Sequence, residues 1–227
     1  MNRVFLVRHG ENPANITKEL SSRHVDYSLT DKGRLQARQT GQYFASQPFT
    51  IDEIYASPLK RARETAQLIA EPFRLPVVVM DNFREVDVGR LEDPPITMAK
   101  WEYHNQVVDQ WLRGNPQVRF PEGDDYHSLW GRMRSGLIEV LRGKHNRSIV
   151  IVGHGGIFTF TLKDLCPAID LDRIFSIGNG NCSISEFSMR VEGDELCANL
   201  VRWADHQHLE GEAAAQVNPI PVEGELT

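Results

Sequence analysis

Three observations predict an α/β fold with a mainly parallel sheet. Short apolar runs alternate with stretches of helical spacing over most of the chain. Two of the runs, 3–7 and 148–152, are apolar almost throughout, the pattern of strands covered on both faces. Both stop at a histidine beside glycine, His9-Gly10 in one and His154-Gly155 in the other. In open parallel sheets ligands bind past the carboxyl ends of the strands, so both histidines fall where a site is expected.

Taken in order, residues 3–7 form the first buried strand. Thr30 can cap a helix over 31–46, with Leu35, Ala37, Phe44 and Ala45 toward the core. Residues 51–56 read as a second strand. Ser57-Pro58 then supplies an N-cap and a proline at the first position of a helix that carries Ala62, Thr65, Ala66, Ile69 and Ala70. A valine-rich third strand covers 76–80. Pro94-Pro95, Gly114-Asn115-Pro116 and the run holding Trp101, Tyr103, His104 and Trp111 mark a helical insertion around 92–124. A helix over 125–143 precedes the strand at 148–152, and another spans 157–164. Runs 183–191 and 196–203 pair as strands across Glu192-Gly193-Asp194. The expected domain is 1–205. Residues 206–227, rich in Glu, Ala and Pro, are expected to be a partly disordered tail.

At 227 residues, folding buries roughly 70% of the surface the unfolded chain exposes, enough for a core without disulfides or structural metal. The formal charge of −6, from 25 basic and 31 acidic side chains, argues against nucleic-acid and membrane-surface binding. Cys166, Cys182 and Cys197 show no CxxC spacing and point to reduced thiols in a cytoplasmic protein. The sequence enters a strand without a basic and then apolar leader, and its longest apolar run, 149–158, is broken by glycines. Neither a signal peptide nor a membrane span is expected.

Arg8 precedes His9, and Arg61 falls in the first turns of the helix after Ser57-Pro58. A guanidinium fork matches phosphate oxygens, and the glycines let a ligand approach the backbone closely. Alone, each residue has a plain structural role: a hydrogen-bonded histidine, a solvated arginine, a loop carboxylate at Glu85. Together they describe an anion pocket that holds nitrogen nucleophiles.

Arg8-His9-Gly10-Glu11 with Asn15, Leu29-Thr30 with Gly33, Gln36 and Ala37, Ser57-Pro58-Leu59-Lys60-Arg61-Ala62, Arg84-Glu85 with Gly89, and Gly153-His154-Gly155-Gly156 occur in that order. They resemble the successive blocks of the histidine phosphatase (phosphoglycerate mutase-like) superfamily, and Asn181-Cys182-Ser183 is similar to its C-terminal block. The resemblance implies a three-layer α/β/α domain with a mainly parallel central sheet, and catalysis with no metal or organic cofactor. It implies that His9 accepts the phosphoryl group, that Arg8, Arg61 and His154 bind it, and that Asn15 adds a hydrogen bond. Glu85 matches the acid that protonates the leaving alkoxide. The family's substrate loop falls at Ser22-Arg23, where this chain departs from the Thr-Gly of the mutases. Arg23 and Gly155 are the further substrate contacts implied.

Elementary chemistry agrees. In-line attack on phosphorus needs an unprotonated imidazole, and two nearby arginines disfavour the imidazolium. The same cations stabilise the equatorial oxygens on which phosphoryl transfer depends. The expected activity is therefore metal-independent hydrolysis of a small phosphorylated metabolite through phosphohistidine. Three alternatives stay open. His9, His154 and Glu85 are a two-histidine, one-carboxylate set for a metal, although Arg8 and Arg61 would repel it. A mutase would continue after the acid with an Arg-His-Tyr-Gly block, where this chain reads Val86-Asp87-Val88-Gly89-Arg90-Leu91-Glu92-Asp93, closer to the phosphatases. A non-catalytic binder would lack the nucleophile, the second histidine or an arginine, and none is missing. Specificity is expected in the 92–124 insertion and the loop near Arg23. The strand pair near 183–203 is read as a homodimer edge or a sheet margin.

Overall fold

The computed structural model describes residues 1–217 and 221. Its sheet has six strands, β1 (Asn2–Arg8), β2 (Glu53–Ala56), β3 (Val77–Val79), β4 (Ser148–Gly153), β5 (Ile184–Glu192) and β6 (Glu195–Asp205). Their spatial order is β3-β2-β4-β1-β5-β6. The first four run parallel and the last two antiparallel to their neighbours. The helices are α1 (Pro13–Thr17), α2 (Asp31–Ala45), α3 (Lys60–Ala70), α4 (Met98–Leu112), α5 (Tyr126–Leu141), α6 (Gly155–Phe160), α7 (Leu162–Leu165) and α8 (Leu171–Ile177).

Successive strand residues face opposite ways, so the central strands feed two cores at once. Val4, Leu6, Ile149 and Ile151 pack with Trp111 of α4 and with Leu129 and Leu137 of α5. On the other face, Phe5, Val7, Val150 and Val152 pack with Phe44 of α2 and with Ala62, Ala66 and Ile69 of α3. Helices therefore cover both faces, the three-layer α/β/α arrangement expected. Burial on two sides is the reason 3–7 and 148–152 are apolar without alternation.

Several local expectations differ from the structure. Ser57-Pro58 does not open α3, which starts at Lys60 with Leu59 as an N-cap that makes no side-chain bond. Helices α1 and α8 were not expected. The first is only five residues long, held by a reciprocal capping box between Asn12 and Asn15. The helix expected over 157–164 starts at Gly155 and breaks into α6 and α7. In the insertion, α4 is capped by Thr97.

The described part of the C-terminal segment packs against the domain. Leu209 and Ala213 are buried with Leu29, Ala37 and Cys182, and the Gln36 amide donates to the Ala213 carbonyl at 3.1 Å. Composition missed this because the anchors are two small apolar contacts and backbone-to-amide bonds. Residues 218–220 and 222–227 of the expected tail lie outside the described residues. Among the described residues no helix is long and apolar enough to cross a membrane.

Candidate active site

The parallel pairing of β1 with β4 sets Arg8 opposite Gly153, so the next residue of each strand, His9 and His154, emerge side by side. The His9 N–H donates to the Gly153 carbonyl at 3.0 Å, and the two rings lie 5.3 Å apart. Beyond His9 the chain passes close to the start of α2. A Cβ on Gly10 would come within 2.5 Å of the Gly33 carbonyl oxygen, so only glycine fits.

Both imidazoles are buried, at 3% and 0% exposure. His9 Nδ1 lies 2.7 Å from the Gly10 carbonyl, an acceptor only, so Nδ1 carries the hydrogen and Nε2 keeps its lone pair. Burial first, then the Arg61 and Arg8 guanidinia, hold His9 well below the ordinary imidazole range. Burial, then Arg61 and His9, do the same for His154. Both rings are neutral near pH 7.

Arg8 and Arg61 are buried as well, and desolvation draws each down to about 10, which leaves both charged near neutral pH. Arg61 reaches the loop before α2, donating to Ser21 Oγ at 2.9 Å and to the Ser21 carbonyl at 2.7 Å. Arg8 donates through one terminal nitrogen to the Asn179 carbonyl. Arg8 Nε, Asn12 Nδ2 and His154 Nδ1 are buried without a protein partner.

Glu85 is held by three backbone donors: Val86 N–H at 2.9 Å, Ile157 N–H at 2.8 Å and Gly156 N–H at 3.1 Å. Two of them belong to the first turn of α6, whose N-cap residue His154 offers no side-chain cap. The distant carboxylate thus satisfies donors that every helix leaves open. A Cβ on Gly156 would stand 2.8 Å from Glu85 Oε1. Behind Glu85, Arg132 of α5 donates to the Arg84 and Glu85 carbonyls and pairs with Asp124 at 2.9 Å.

Arg8, His9, Asn15, Arg61, Glu85 and Gly155 line one cavity of about 910 Å³, with His154 buried beside His9. Asn15 Oδ1 accepts from Asn12 N–H and from the Asn181 amide, both at 3.1 Å, which fixes its orientation. Arg23 is the exception. Its guanidinium turns outward to Asp87 and the Glu122 carbonyl, its side chain is 43% exposed, and it does not line the cavity. The reason is Glu92, a buried carboxylate that accepts the backbone N–H groups of Ser22, Arg23, His24 and Val25 at 2.7–3.1 Å. That clamp turns Ser21 and Ser22 toward the cavity and Arg23 away.

Ser21, Glu92 and Arg132 were not assigned to the site from the sequence, and Ser57 was read there only as a helix cap and part of a motif. Of these only Glu92 carried a signal, an acid directly after apolar Leu91. In the insertion, Trp101, Val108 and Leu112 of α4 wall the cavity, while Trp111 packs on Phe120 and Tyr126 in the core. Among the described residues no three His, Cys, Asp or Glu side chains gather as a metal site, so the alternative ligand set does not form.

Two neutral imidazoles and two buried guanidinia, converging past the ends of a parallel sheet, define a site for phosphate esters. The profile of the histidine phosphatase superfamily (branch 1) matches residues 4–206, and the chain belongs to that superfamily. It is 30% identical over 203 residues to an uncharacterized phosphatase, PhoE, of Bacillus subtilis, covering 88% of this chain and 97% of the other. It is 35% identical over 188 residues to a probable phosphoglycerate mutase, GpmB, of Yersinia enterocolitica, covering 82% and 84%. Among solved structures, a mutant phosphoserine phosphatase of Entamoeba histolytica bound to phosphoserine superposes with a TM-score of 0.74. Identity there is 26%, over 92% of this chain and all of the other.

Proposed function

We propose that the protein is a phosphoric monoester hydrolase in which His9 Nε2 is the nucleophile. One observation carries this: the His9 lone pair stands among buried donors, Arg8 Nε, Asn12 Nδ2 and His154 Nδ1, that the protein itself leaves unpaired. Buried donors without partners are costly, and a phosphoryl group, rich in acceptor oxygens, satisfies them. Nε2 attacks phosphorus as the ester P–O bond breaks, and Arg8, Arg61 and His154 take up charge on the equatorial oxygens. Glu85 gives its proton to the departing oxygen. Its three backbone donors fill three of about four acceptor sites, leaving room for one further hydrogen bond. Water then attacks the phosphohistidine and returns a proton to Glu85. Inorganic phosphate leaves and His9 is restored.

Relatives named as phosphatases support hydrolysis, and a cavity of about 910 Å³ supports a small phosphorylated substrate. A cytoplasmic location belongs to the same reading, supported by three free thiols. β6 is an open sheet edge on which Val201 is exposed, which supports a homodimer there; gel filtration tests it. The enzymatic test is hydrolysis of 4-nitrophenyl phosphate in EDTA by the wild type and His9→Ala. Activity that survives chelation and vanishes in the variant is expected, with labelled phosphate trapped on wild-type His9 after acid-free quenching. Turnover that needs a restored divalent metal would defeat the assignment.

A further inference from the structure

The phosphate end occupies only part of the cavity, whose volume of about 910 Å³ is near the top of the roughly 300–1,000 Å³ range of drug-sized ligand sites. The remainder is walled largely by Leu20, Val88, Trp101, Val108, Phe160 and Phe175, with uncharged polar side chains such as Asn105 and Thr159 between them. Among the described lining residues the only guanidinium or ammonium groups are Arg8 and Arg61, both beside the histidines. Besides His9 and Glu85 at the phosphate end, the titratable groups on the wall are Glu19, Asp109, His104 and His206. Burial holds His104 below the ordinary imidazole range, so it brings no charge near neutral pH. Asp109 is paired with Arg113 at 2.7 Å, and Glu19 accepts from the Tyr27 hydroxyl.

A substrate with a second anionic group would find no lining guanidinium or ammonium group to pair with it outside the phosphate end, and would meet the carboxyl group of Glu19 instead. Burying an unpaired charge is far costlier than burying a hydrocarbon, which gains on leaving water. Resting on the phosphomonoesterase reading above, we infer that the cavity selects esters whose alcohol is a bulky apolar or aromatic group without a second negative charge. Phosphorylated hydroxy acids and amino acids are disfavoured, although phosphoserine and phosphoglycerate appear in the names of relatives.

Three primary alkyl esters test this: 2-phenylethyl phosphate, 3-phosphoglycerate and phosphoserine. Each releases a primary alkoxide, so the ratio of kcat/KM reads recognition of the body. The phenylethyl ester is expected to lead by at least about tenfold, equivalent to ~1.4 kcal/mol. Phe175→Ala, at a partly exposed position on α8, should reduce that lead through KM, and Glu19→Lys should raise kcat/KM for 3-phosphoglycerate. Equal or better use of either acid by the wild type, with His9 still trapping phosphate, overturns the inference alone. If no ester is hydrolysed and no phosphate is trapped, the phosphomonoesterase reading falls and takes the inference with it.

Discussion

His154 Nε2 lies 2.6 Å from Ser57 Oγ, a bond that ties the end of β4 to the end of β2. Those strands pair in parallel with Ala56 opposite Val152, and the Ser57 N–H continues the ladder to the Val152 carbonyl at 2.9 Å. The hydroxyl also receives the Leu59 N–H at 3.4 Å, so its own hydrogen is free for the imidazole. A serine that reads as a helix cap is thus a support for the second histidine.

Ser57→Ala would leave both nitrogens of a fully buried ring unpaired. A loss of about 1–3 kcal/mol of stability is expected in urea unfolding, the cost of one unsatisfied buried polar group. kcat should fall more than KM rises, and Ser57→Thr, which keeps the hydroxyl, should recover most of both. A stable Ser57→Ala protein with unchanged kcat would show that the bond does not orient His154.

Glu92→Gln tests the clamp on residues 22–25. Burial opposes ionisation of Glu92, but the N–H groups of Val25, Arg23, Ser22 and His24 outweigh it, and its carboxyl titrates below the ordinary range. An amide cannot accept on both heads, so roughly 1–3 kcal/mol of stability should be lost. Because Arg61 rests on Ser21 in the same loop, KM for any phosphate ester should rise.

Gly156→Ala pushes a methyl group against the Glu85 carboxylate. If Glu85 protonates the leaving oxygen, turnover of an alkyl phosphate should fall at least about tenfold, in the range of one general-acid contribution. Hydrolysis of 4-nitrophenyl phosphate, whose leaving group needs little protonation, should fall less. Equal losses would mean that Glu85 acts on binding rather than on departure.

The pH dependence has two windows. His9 and His154 stay neutral in the fold but take up protons at about 6.5 once unfolded, so stability should decline as pH drops below about 6.5. Glu92 adds stability that is present above the unfolded value of about 4.3 and is lost as pH falls through its lower folded value. Urea midpoints at pH 7.5, 6.0 and 5.0 should therefore fall in that order, while phosphorylation of His9 by 4-nitrophenyl phosphate, whose leaving group needs little protonation, loses nothing to protonation of His9 from pH 8 to about 6. A midpoint that rises on acidification would contradict the neutral-imidazole site.

The parts of the site that could be read from sequence are those tied to strand ends. His9 and His154 follow apolar runs directly, and Arg8 is joined to one of them. That Arg23 turns away from the cavity was not legible, because a loop's direction depends on what captures its backbone, and Glu92 lies about seventy residues further on. The role of Ser57 was hidden for a similar reason: its partner lies on a strand distant in sequence and adjacent only in the sheet. The C-terminal segment reads as polar, yet Gln216 accepts from Asn181 N–H at 2.8 Å and borders the cavity.

By itself the sequence determined the buried strands, the residue that ends each, and the cations available to the site. Continuous hydrophobicity and side-chain chemistry are local properties of the chain, legible without a partner. Only the tertiary structure decided that β1 and β4 lie in register, that both imidazoles are held neutral, and that α4 and α8 wall the cavity with apolar side chains. Each of these follows from long-range packing: adjacency comes from strand order, and desolvation comes from segments that meet only when the chain folds.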